Sequence, residues 1–404
     1  MNFANSKGRP PHDHHVAAAE ICPLESEFNM LISRMAQPTP ASQLTGLRLP
    51  SISGAIWEVV NPVLPLAGAT GSNFSIGYLV RQIQDSNGKA VTHGREAFCK
   101  AMDFSRAMSM ADPAQALLDL TQMFLFERSV LEHCRDRDIR RVIRYLDTGT
   151  VQIPSMSPPI NVVQYIIFEK AEGDLRGSLS RSDIVNWAWK MRCLHNLSSA
   201  VSQMHANDLV HQDIKPSNIL QCGAGHKLAD LGRASRRNHV GPYDTLRFAG
   251  DPGYEPPESC YSGQIPNWND RLAMDMFLVG EMAFFLVTQT ALWPSIRSHL
   301  DEKHWPGRWT GTFAAVQPYY RAAFDLSLDD FAQEVPDPLK EQLVKSVREL
   351  CEPDPTLRGH PLNRPVTPTP KTGGTGPHVS QYSLERYVSL FNLLATKAEI
   401  KISR

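Results

Sequence analysis

The residues best suited to chemistry lie in two short segments near the middle of the chain. The first is His211-Gln-Asp-Ile-Lys-Pro-Ser-Asn218, and the second is Asp230-Leu-Gly232. A hydroxyl that attacks a terminal phosphate needs an acceptor for its proton, a cation near the departing charge, and oxygen ligands for a metal ion. The chain offers these groups in the order Asp213, Lys215, Asn218 and Asp230. The two segments therefore suit the transfer of a phosphoryl group.

The stretch between these segments predicts a β-hairpin. Residues 218–222 and 226–230 are short strand-like runs joined by Gly223-Ala-Gly225, and Gly-rich turns of this length close hairpins. The hairpin would return Asp230 to Asn218, so that two oxygen ligands face one Mg²⁺, which takes few protein ligands alongside phosphate oxygens and water. Lys215 would then reach the transferred phosphate.

With further motifs, these segments resemble a eukaryotic-like (Hanks-type) serine/threonine protein kinase, with an HxDxKxxN catalytic loop and a DFG-type motif. The further motifs are Ala97-Phe-Cys-Lys100, resembling the third-strand lysine motif; Gly250 to Glu258, resembling the end of the activation segment; Asp275 with Gly280, resembling its buried anchoring helix; and Arg358, the expected partner of Glu258. The catalytic loop alone would also fit a small-molecule phosphotransferase, but Glu258 and the helix around Asp275 favour a protein kinase.

The resemblance implies an α+β fold with two lobes: a small β-rich lobe with one helix, and a larger, mainly helical lobe. It implies ATP and Mg²⁺ as cofactors, with Asp213 as the catalytic base and Lys215 on the transferred phosphate. Asn218 and Asp230 would hold the metal. Lys100 would bind the α- and β-phosphates.

The rest of the implied nucleotide site lies in the small lobe and in the hinge that follows it. Gly71, in a glycine-rich stretch that departs from the family pattern, would cover the phosphates. Glu127 is expected to keep Lys100 charged in its strand, with Glu132, on a different helical face, as the alternative. The expected adenine contacts are Phe168 at the rear of the pocket and the backbone of Glu169 and Ala171.

The chain divides into five segments. They are an N-terminal extension with one helix and a linker (1–55), the small lobe (56–170), the large lobe (171–361), a Pro/Gly/Thr-rich linker (362–378) and a C-terminal amphipathic helix (379–404). The last helix is capped by Ser383 and carries an apolar stripe from Leu384 to Ala395. That stripe predicts packing on the kinase lobes or, alternatively, contact with a partner or a second copy.

Composition limits the classes of function. The chain has 404 residues and a formal net charge of -1, which argues against general affinity for nucleic acid. Its seven cysteines are scattered singly, which is typical of reduced thiols. No apolar run is long enough to span a membrane. We therefore expect a soluble, cytoplasmic enzyme without a membrane span, of the soluble bacterial type, whose protein substrate the sequence does not name.

Two positions depart from the family pattern within the active segments. Gln212 stands where many regulated kinases have an arginine that binds a phosphorylated activation segment, and Asp251 stands where the family usually has a threonine. Asp251 is expected to pair with Lys215. Without that arginine, the enzyme is expected to depend less on phosphorylation of the segment. Asp251, together with the irregular glycine-rich stretch around Gly71, leaves a second hypothesis open, in which the chain is a pseudokinase that binds partners without useful turnover.

Overall fold

The computed structural model describes residues 39–63, 74–156, 161–180, 186–364 and 380–402. Gly71, the helix predicted near residues 28–35 and most of the predicted linker 362–378 lie outside these ranges. The described chain forms a sheet-rich lobe followed by a larger helical lobe, which confirms the predicted α+β, two-lobed arrangement.

The small lobe is built on an antiparallel sheet with the strand order β1-β2-β3-β4-β6-β5. Its strands are β1 Arg48–Pro50, β2 Ile56–Pro62, β3 Ser75–Gln84, β4 Glu96–Met102, β5 Tyr145–Gln152 and β6 Val162–Glu169. Successive side chains point to opposite faces of a strand, and β4 shows the consequence. Ala97, Cys99 and Ala101 are buried in the small-lobe core, whereas Phe98 and Lys100 face the other way.

The small lobe begins before the boundary predicted at residue 56. Pro40–Gln43 forms a 3₁₀ helix where a linker was expected, and β1 pairs with β2. Leu44 and Leu49 are buried in the same core, and the carbonyl of Ala41 accepts a hydrogen bond of 2.7 Å from the Tyr78 hydroxyl. The last part of the expected extension therefore belongs to the sheet domain, because it supplies apolar side chains to its core.

One long helix, α1 (Pro113–Asp136), packs against the sheet. Asp112 caps its N-terminus by accepting a hydrogen bond of 3.0 Å from Gln115 N, and Pro113 occupies the first turn, where a missing N–H costs nothing. The buried face of α1 includes Phe124, Glu127 and Leu131.

The large lobe contains the remaining described helices and short strands. The helices are α2 Leu175–Ser180, α3 Trp187–Ala206, α4 Pro257–Tyr261, α5 Trp268–Thr288, α6 Leu292–His299, α7 Phe313–Glu334, α8 Asp337–Leu350 and α9 Glu385–Lys401. The strands are β7 Gly173–Asp174, β8 Leu209–Val210, β9 Ile219–Cys222, β10 Gly225–Leu228 and β11 Ser235–Arg236. The predicted hairpin is thus β9 and β10, paired antiparallel.

Helix α5 forms the centre of the large lobe. It begins with a capping box formed by Asn267 and Asp270, and it is buried from Arg271 to Val287. A helix that is apolar on all sides is expected in a core. Within the described residues, no single helix has the length and apolar composition to cross a membrane, and only the pair α5 and α6, bent by 82°, meets those criteria jointly.

The C-terminal helix α9 packs on the large lobe, chiefly against α3. Its apolar stripe is buried, and the buried members are Tyr387, Phe391, Leu394, Ala395 and Ala398. Polar contacts flank the stripe: His195 Nδ1 lies 3.0 Å from Val388 O, and Tyr387 donates to Glu349 at 2.9 Å. The stripe is therefore covered by the chain's own large lobe. Ser383 does not cap the helix in the predicted way: Leu384 occupies the N-cap position, and Ser383, one residue before it, accepts only a long hydrogen bond of 3.4 Å from Glu385 N.

A buried glutamate on α5 makes the stability of the large lobe depend on pH. Glu281 is almost fully buried, its carboxylate accepts a hydrogen bond of 2.7 Å from Leu292 N, and burial raises its pKa to about 8. The unfolded chain releases this proton near the ordinary pKa of about 4.3. The folded state therefore keeps its full stability below that value and loses it as the pH rises through about 8.

We expect Glu281→Gln to be more stable than the wild type at pH 8 to 9, by on the order of 4 kcal/mol, because the amide stays neutral and can still accept from Leu292 N. The difference should shrink towards zero as the pH falls to about 4.5. Urea denaturation of both proteins across this range measures it. A difference in stability that does not change with pH would contradict the prediction.

Candidate active site

The catalytic loop after β8 holds Asp213 in a fixed orientation. One carboxylate oxygen accepts from Asp251 N at 2.9 Å, and the other lies 3.1 Å from Asn218 Nδ2 and 3.2 Å from Lys215 Nζ. Burial raises the pKa of Asp213, and the Lys215 cation opposes that rise. A carboxylate that is held in place and has a raised pKa is suited to accept a proton.

The backbone before Asp213 is fixed by Asp275 of α5. The Asp275 carboxylate is completely buried and accepts hydrogen bonds of 2.7 Å from both His211 N and Gln212 N. His205 Nε2 lies 3.0 Å from the same group. Gln212 has a left-handed backbone, with φ at 65°, which is uncommon for a residue with a side chain. The core helix therefore sets the position of the loop and supports this strained conformation.

Lys100 joins the two lobes. Its Nζ lies 2.8 and 3.0 Å from the two carboxylate oxygens of Glu127 and 3.2 Å from Asp230 Oδ1. Burial alone would lower the pKa of Lys100, but the carboxylates of Asp230 and Glu127 outweigh burial and hold that pKa above its usual value. The alternative glutamate, Glu132, lies instead 3.7 Å from Arg128 Nε. The lysine is thus kept charged in a largely buried position between the two lobes.

Asn218 and Asp230 lie together at the base of the hairpin, because Ala229 N donates to Asn218 O at 2.8 Å. The Asn218 amide nitrogen donates to Asp213 O, also at 2.8 Å, which turns the amide oxygen away from Asp213. The Lys100 cation lowers the pKa of Asp230, so this carboxylate is ionised. An amide oxygen and an ionised carboxylate are oxygen donors of the kind that Mg²⁺ prefers, so these residues fit that ion.

The predicted hinge follows β6. Phe168 is buried at the end of that strand, and Ala171 lies in the short connection to β7. The carboxylate of Glu169 is bound within the protein: it accepts a hydrogen bond from Arg144 N at 2.7 Å and pairs with Lys227. Only the backbone of Glu169 is therefore available for the expected adenine contact. Asp174, at the end of β7, accepts a hydrogen bond from Gly177 N at 2.7 Å and so caps α2.

Comparison with known proteins agrees with this geometry. The family described as "Protein kinase domain" matches residues 89–361. The chain belongs to the protein kinase family. Its match covers the lysine strand, helix α1, the catalytic loop and the helices around Asp275.

Similar proteins include serine/threonine-protein kinase SBK2 of Homo sapiens, 30% identical over 178 residues, or 39% of this chain and 47% of that protein. Calcium/calmodulin-dependent protein kinase type II of Caenorhabditis elegans is 29% identical over 143 residues, 33% of this chain and 20% of that protein. Serine/threonine-protein kinase SBK1 of Danio rerio is 29% identical over 167 residues, covering 39% and 41%. The chain thus spans less than half the length of these relatives. All three are animal proteins, so they do not support the expected bacterial type.

The activation segment of this kinase domain is held by a polar network that contains no phosphate-binding arginine before Asp213. Gln212 Nε2 donates to Arg233 O and to Ser235 Oγ, both at 2.8 Å, and Gln212 Oε1 accepts from Arg271 of α5. Arg271 is buried and also donates to Asp244 O at 2.7 Å. The activation segment is therefore held to α5 by the neutral amide of Gln212 and the buried guanidinium of Arg271.

Asp244 completes the network from within the segment. Its carboxylate accepts from Gly241 N at 2.7 Å and from the Ser235 hydroxyl. Arg271 and Asp244 were missed in the sequence because no spacing rule connects residues so far apart. A usable signal was present, since Arg271 is a charged residue that opens the apolar run of α5.

The end of the segment is fixed by a buried ion pair. Arg358 is fully buried, and its guanidinium contacts both carboxylate oxygens of Glu258, at 2.6 and 2.8 Å. This confirms the predicted pair. The same guanidinium donates to Ala273 O and to Glu352 O, both at 3.0 Å, so these four hydrogen bonds occupy most of its N–H donors.

We expect the rate of phosphate transfer to be the same before and after phosphatase treatment. Ser235 is already buried in the network, and Gln212 has no charge with which to bind a phosphate on Tyr243 or Thr245. Initial rates before and after treatment, with phosphosite mapping, measure this. A large loss of rate on dephosphorylation would contradict it.

Asp251 is expected to support the same site through its side chain. Its carboxylate lies 3.5 Å from Lys215 Nζ and accepts from Gly253 N at 3.0 Å. Asp251→Ala should lower the rate by roughly tenfold, about the size of one hydrogen bond to a charged group. Asp251→Thr should lose less, since a hydroxyl can still accept from Gly253 N. Full activity of the alanine variant would contradict this, and would show that the backbone N–H of residue 251 alone is sufficient to hold Asp213.

Proposed function

We propose that this protein is an ATP-dependent serine/threonine protein kinase that transfers the γ-phosphate to protein hydroxyl groups. The observation that carries the proposal is the contact of Lys100 with both Glu127 and Asp230, because it joins groups of the two lobes in one cleft. Sequence similarity to serine/threonine kinases supports the same activity.

In this proposal each residue acts through the geometry described above. Asp213 accepts the proton of the attacking hydroxyl, and Lys215 neutralises charge on the transferred phosphate. Lys100, oriented by Glu127, binds the α- and β-phosphates. Asn218 and Asp230 hold Mg²⁺, which when bound neutralises charge on the phosphate oxygens. Phe168, with the backbone of Glu169 and Ala171, borders the adenine, and Gly71 lies outside the described residues.

The proposed preference for serine and threonine depends on Lys215, next to the position of the acceptor hydroxyl. The six cysteines within the described residues are free thiols, which supports the cytoplasm, a reducing compartment, as the location.

Incubation with labelled ATP, Mg²⁺ and a generic basic protein, followed by mapping of phosphosites, tests the proposal. Phosphate on serine or threonine, in the substrate or in the protein itself, is the expected result. Nucleotide binding without any transfer of phosphate would indicate that the protein is a binding scaffold and not a kinase. Transfer to a small molecule only would favour a small-molecule phosphotransferase.

A further inference from the structure

An aromatic ring occupies the cleft face of the strand that carries Lys100. Phe98 and Lys100 lie two residues apart on β4, so their side chains share one face of the sheet, about 7 Å apart along the strand. The neighbouring residues, Ala97 and Cys99, point into the small-lobe core. Phe98 is only partly buried, and it packs towards the interior of the molecule that also contains Phe168.

The position of Phe98 along the strand places it between the phosphate groups and the hinge. Phe98 pairs across the sheet with Phe168, and Ala97 pairs with Glu169, where the hinge begins. The rings of Phe98 and Phe168 have centroids 6.5 Å apart and are tilted by 40°. A nucleotide with its phosphates at Lys100 and its base at residues 169–171 therefore has to pass the Phe98 ring.

The neighbouring strand leaves room for this ring. Gly77 lies opposite Lys100 on β3, on the same face of the sheet. A Cβ placed on Gly77 would lie 2.7 Å from Phe98 Cε2 and 2.8 Å from Phe98 Cζ, which is closer than a Cβ approaches non-bonded atoms in proteins. Its next neighbour would be Val63 Cβ at 3.7 Å, an ordinary contact. The absence of a side chain at residue 77 is therefore what allows the ring to lie where it does.

We propose that Phe98 is the stacking surface for the purine base of the bound nucleotide, and that Gly77 is required because it clears the space for that ring. This assignment rests on the proposed nucleotide-dependent function and adds a specificity determinant to it. An aromatic face attracts the π-face of a base through dispersion and quadrupole interactions, and it excludes water from one side of it. The base is thus held by stacking as well as by the hinge backbone.

The test measures binding of Mg-ATP and of Mg-tripolyphosphate, which has no base, by isothermal titration calorimetry. Phe98→Ala should weaken Mg-ATP binding roughly tenfold or more, the size expected for loss of an aromatic stacking partner. Binding of tripolyphosphate should be unchanged, because Lys100 and Asp230 remain. Phe98→Tyr keeps the ring and should bind Mg-ATP nearly as the wild type does. Melting curves of each variant show that the small lobe stays folded.

A double-variant cycle tests the role of Gly77. Gly77→Ala alone should weaken Mg-ATP binding, because the new methyl group displaces the Phe98 ring. In the Phe98→Ala background the same change should have no further effect, since the next nearest atom among the described residues, Val63 Cβ at 3.7 Å, is at an ordinary contact distance. Equal losses from Gly77→Ala in both backgrounds would overturn the assignment of Gly77.

The outcomes separate this inference from the proposed function. If Phe98→Ala binds Mg-ATP as tightly as the wild type or more tightly, the ring fills the cleft and the stacking assignment is wrong, whether or not the wild type transfers phosphate. If Phe98→Ala loses affinity only for Mg-ATP while the wild type transfers no phosphate, the stacking assignment stands and the kinase activity does not.

Discussion

Asp213→Asn is expected to reduce the turnover of phosphate transfer by about 10²-fold or more, the range for loss of a positioned proton acceptor. The amide is nearly isosteric and can still accept from Asp251 N, so the loop should keep its shape. The affinity for Mg-ATP should stay nearly intact, because Lys100 and Asp230 are unchanged. Single-turnover rates and nucleotide titrations on both proteins measure the two quantities separately.

Asp208→Asn is the matched control for this variant. Asp208 lies just before β8, is exposed, and has φ at 57°, a conformation that asparagine tolerates well. The same chemical change there should leave turnover unaffected. If the wild type and Asp213→Asn are equally inert while both bind nucleotide, the chain acts as a scaffold and the proposed kinase activity is wrong.

Phe391→Ala is expected to lower the free energy of unfolding by about 3 to 5 kcal/mol, because it empties a fully buried site between α9 and the large lobe. Chemical denaturation measures this. Removal of residues 379–404 should lower the melting temperature further or cause aggregation, since it uncovers the whole stripe.

Leu393→Ala provides the control on the same helix. Leu393 is 48% exposed, whereas Phe391 is 0% exposed. Truncation of Leu393 should therefore change the free energy of unfolding by less than about 0.5 kcal/mol. If Phe391→Ala were silent and truncation of the helix instead abolished self-association or binding of a partner, α9 would serve association rather than stability.

The catalytic loop and the hairpin were predictable because their signals are local. The spacing from Asp213 to Asn218 and the turn at Gly223 to Gly225 are set by neighbouring residues, and the structure brings Asn218 and Asp230 together as the turn requires. The motif Ala97 to Lys100 lies on strand β4 as predicted, and the alternation of its side chains reflects one buried face.

Other features depend on tertiary contacts that leave weak marks in the sequence. Helix α7 continues through Pro318, a residue that normally ends or kinks a helix, at the cost of one backbone hydrogen bond. The network of Gln212, Arg271 and Asp244 joins distant parts of the chain. Strand β1 was not predicted, because it has three residues with only Leu49 buried, and its place in the sheet depends on its register with β2.

The buried guanidinium of Arg358 has a consequence for how the large lobe opens. It binds the end of the activation segment at Glu258, the core helix at Ala273 and the connection after α8 at Glu352. These three parts of the chain can separate only if a desolvated charge loses its partners, which costs about 3 to 5 kcal/mol. Amide hydrogens in the exposed part of the activation segment should therefore exchange by local opening. Amide hydrogens around Glu258 should exchange only when the whole large lobe unfolds.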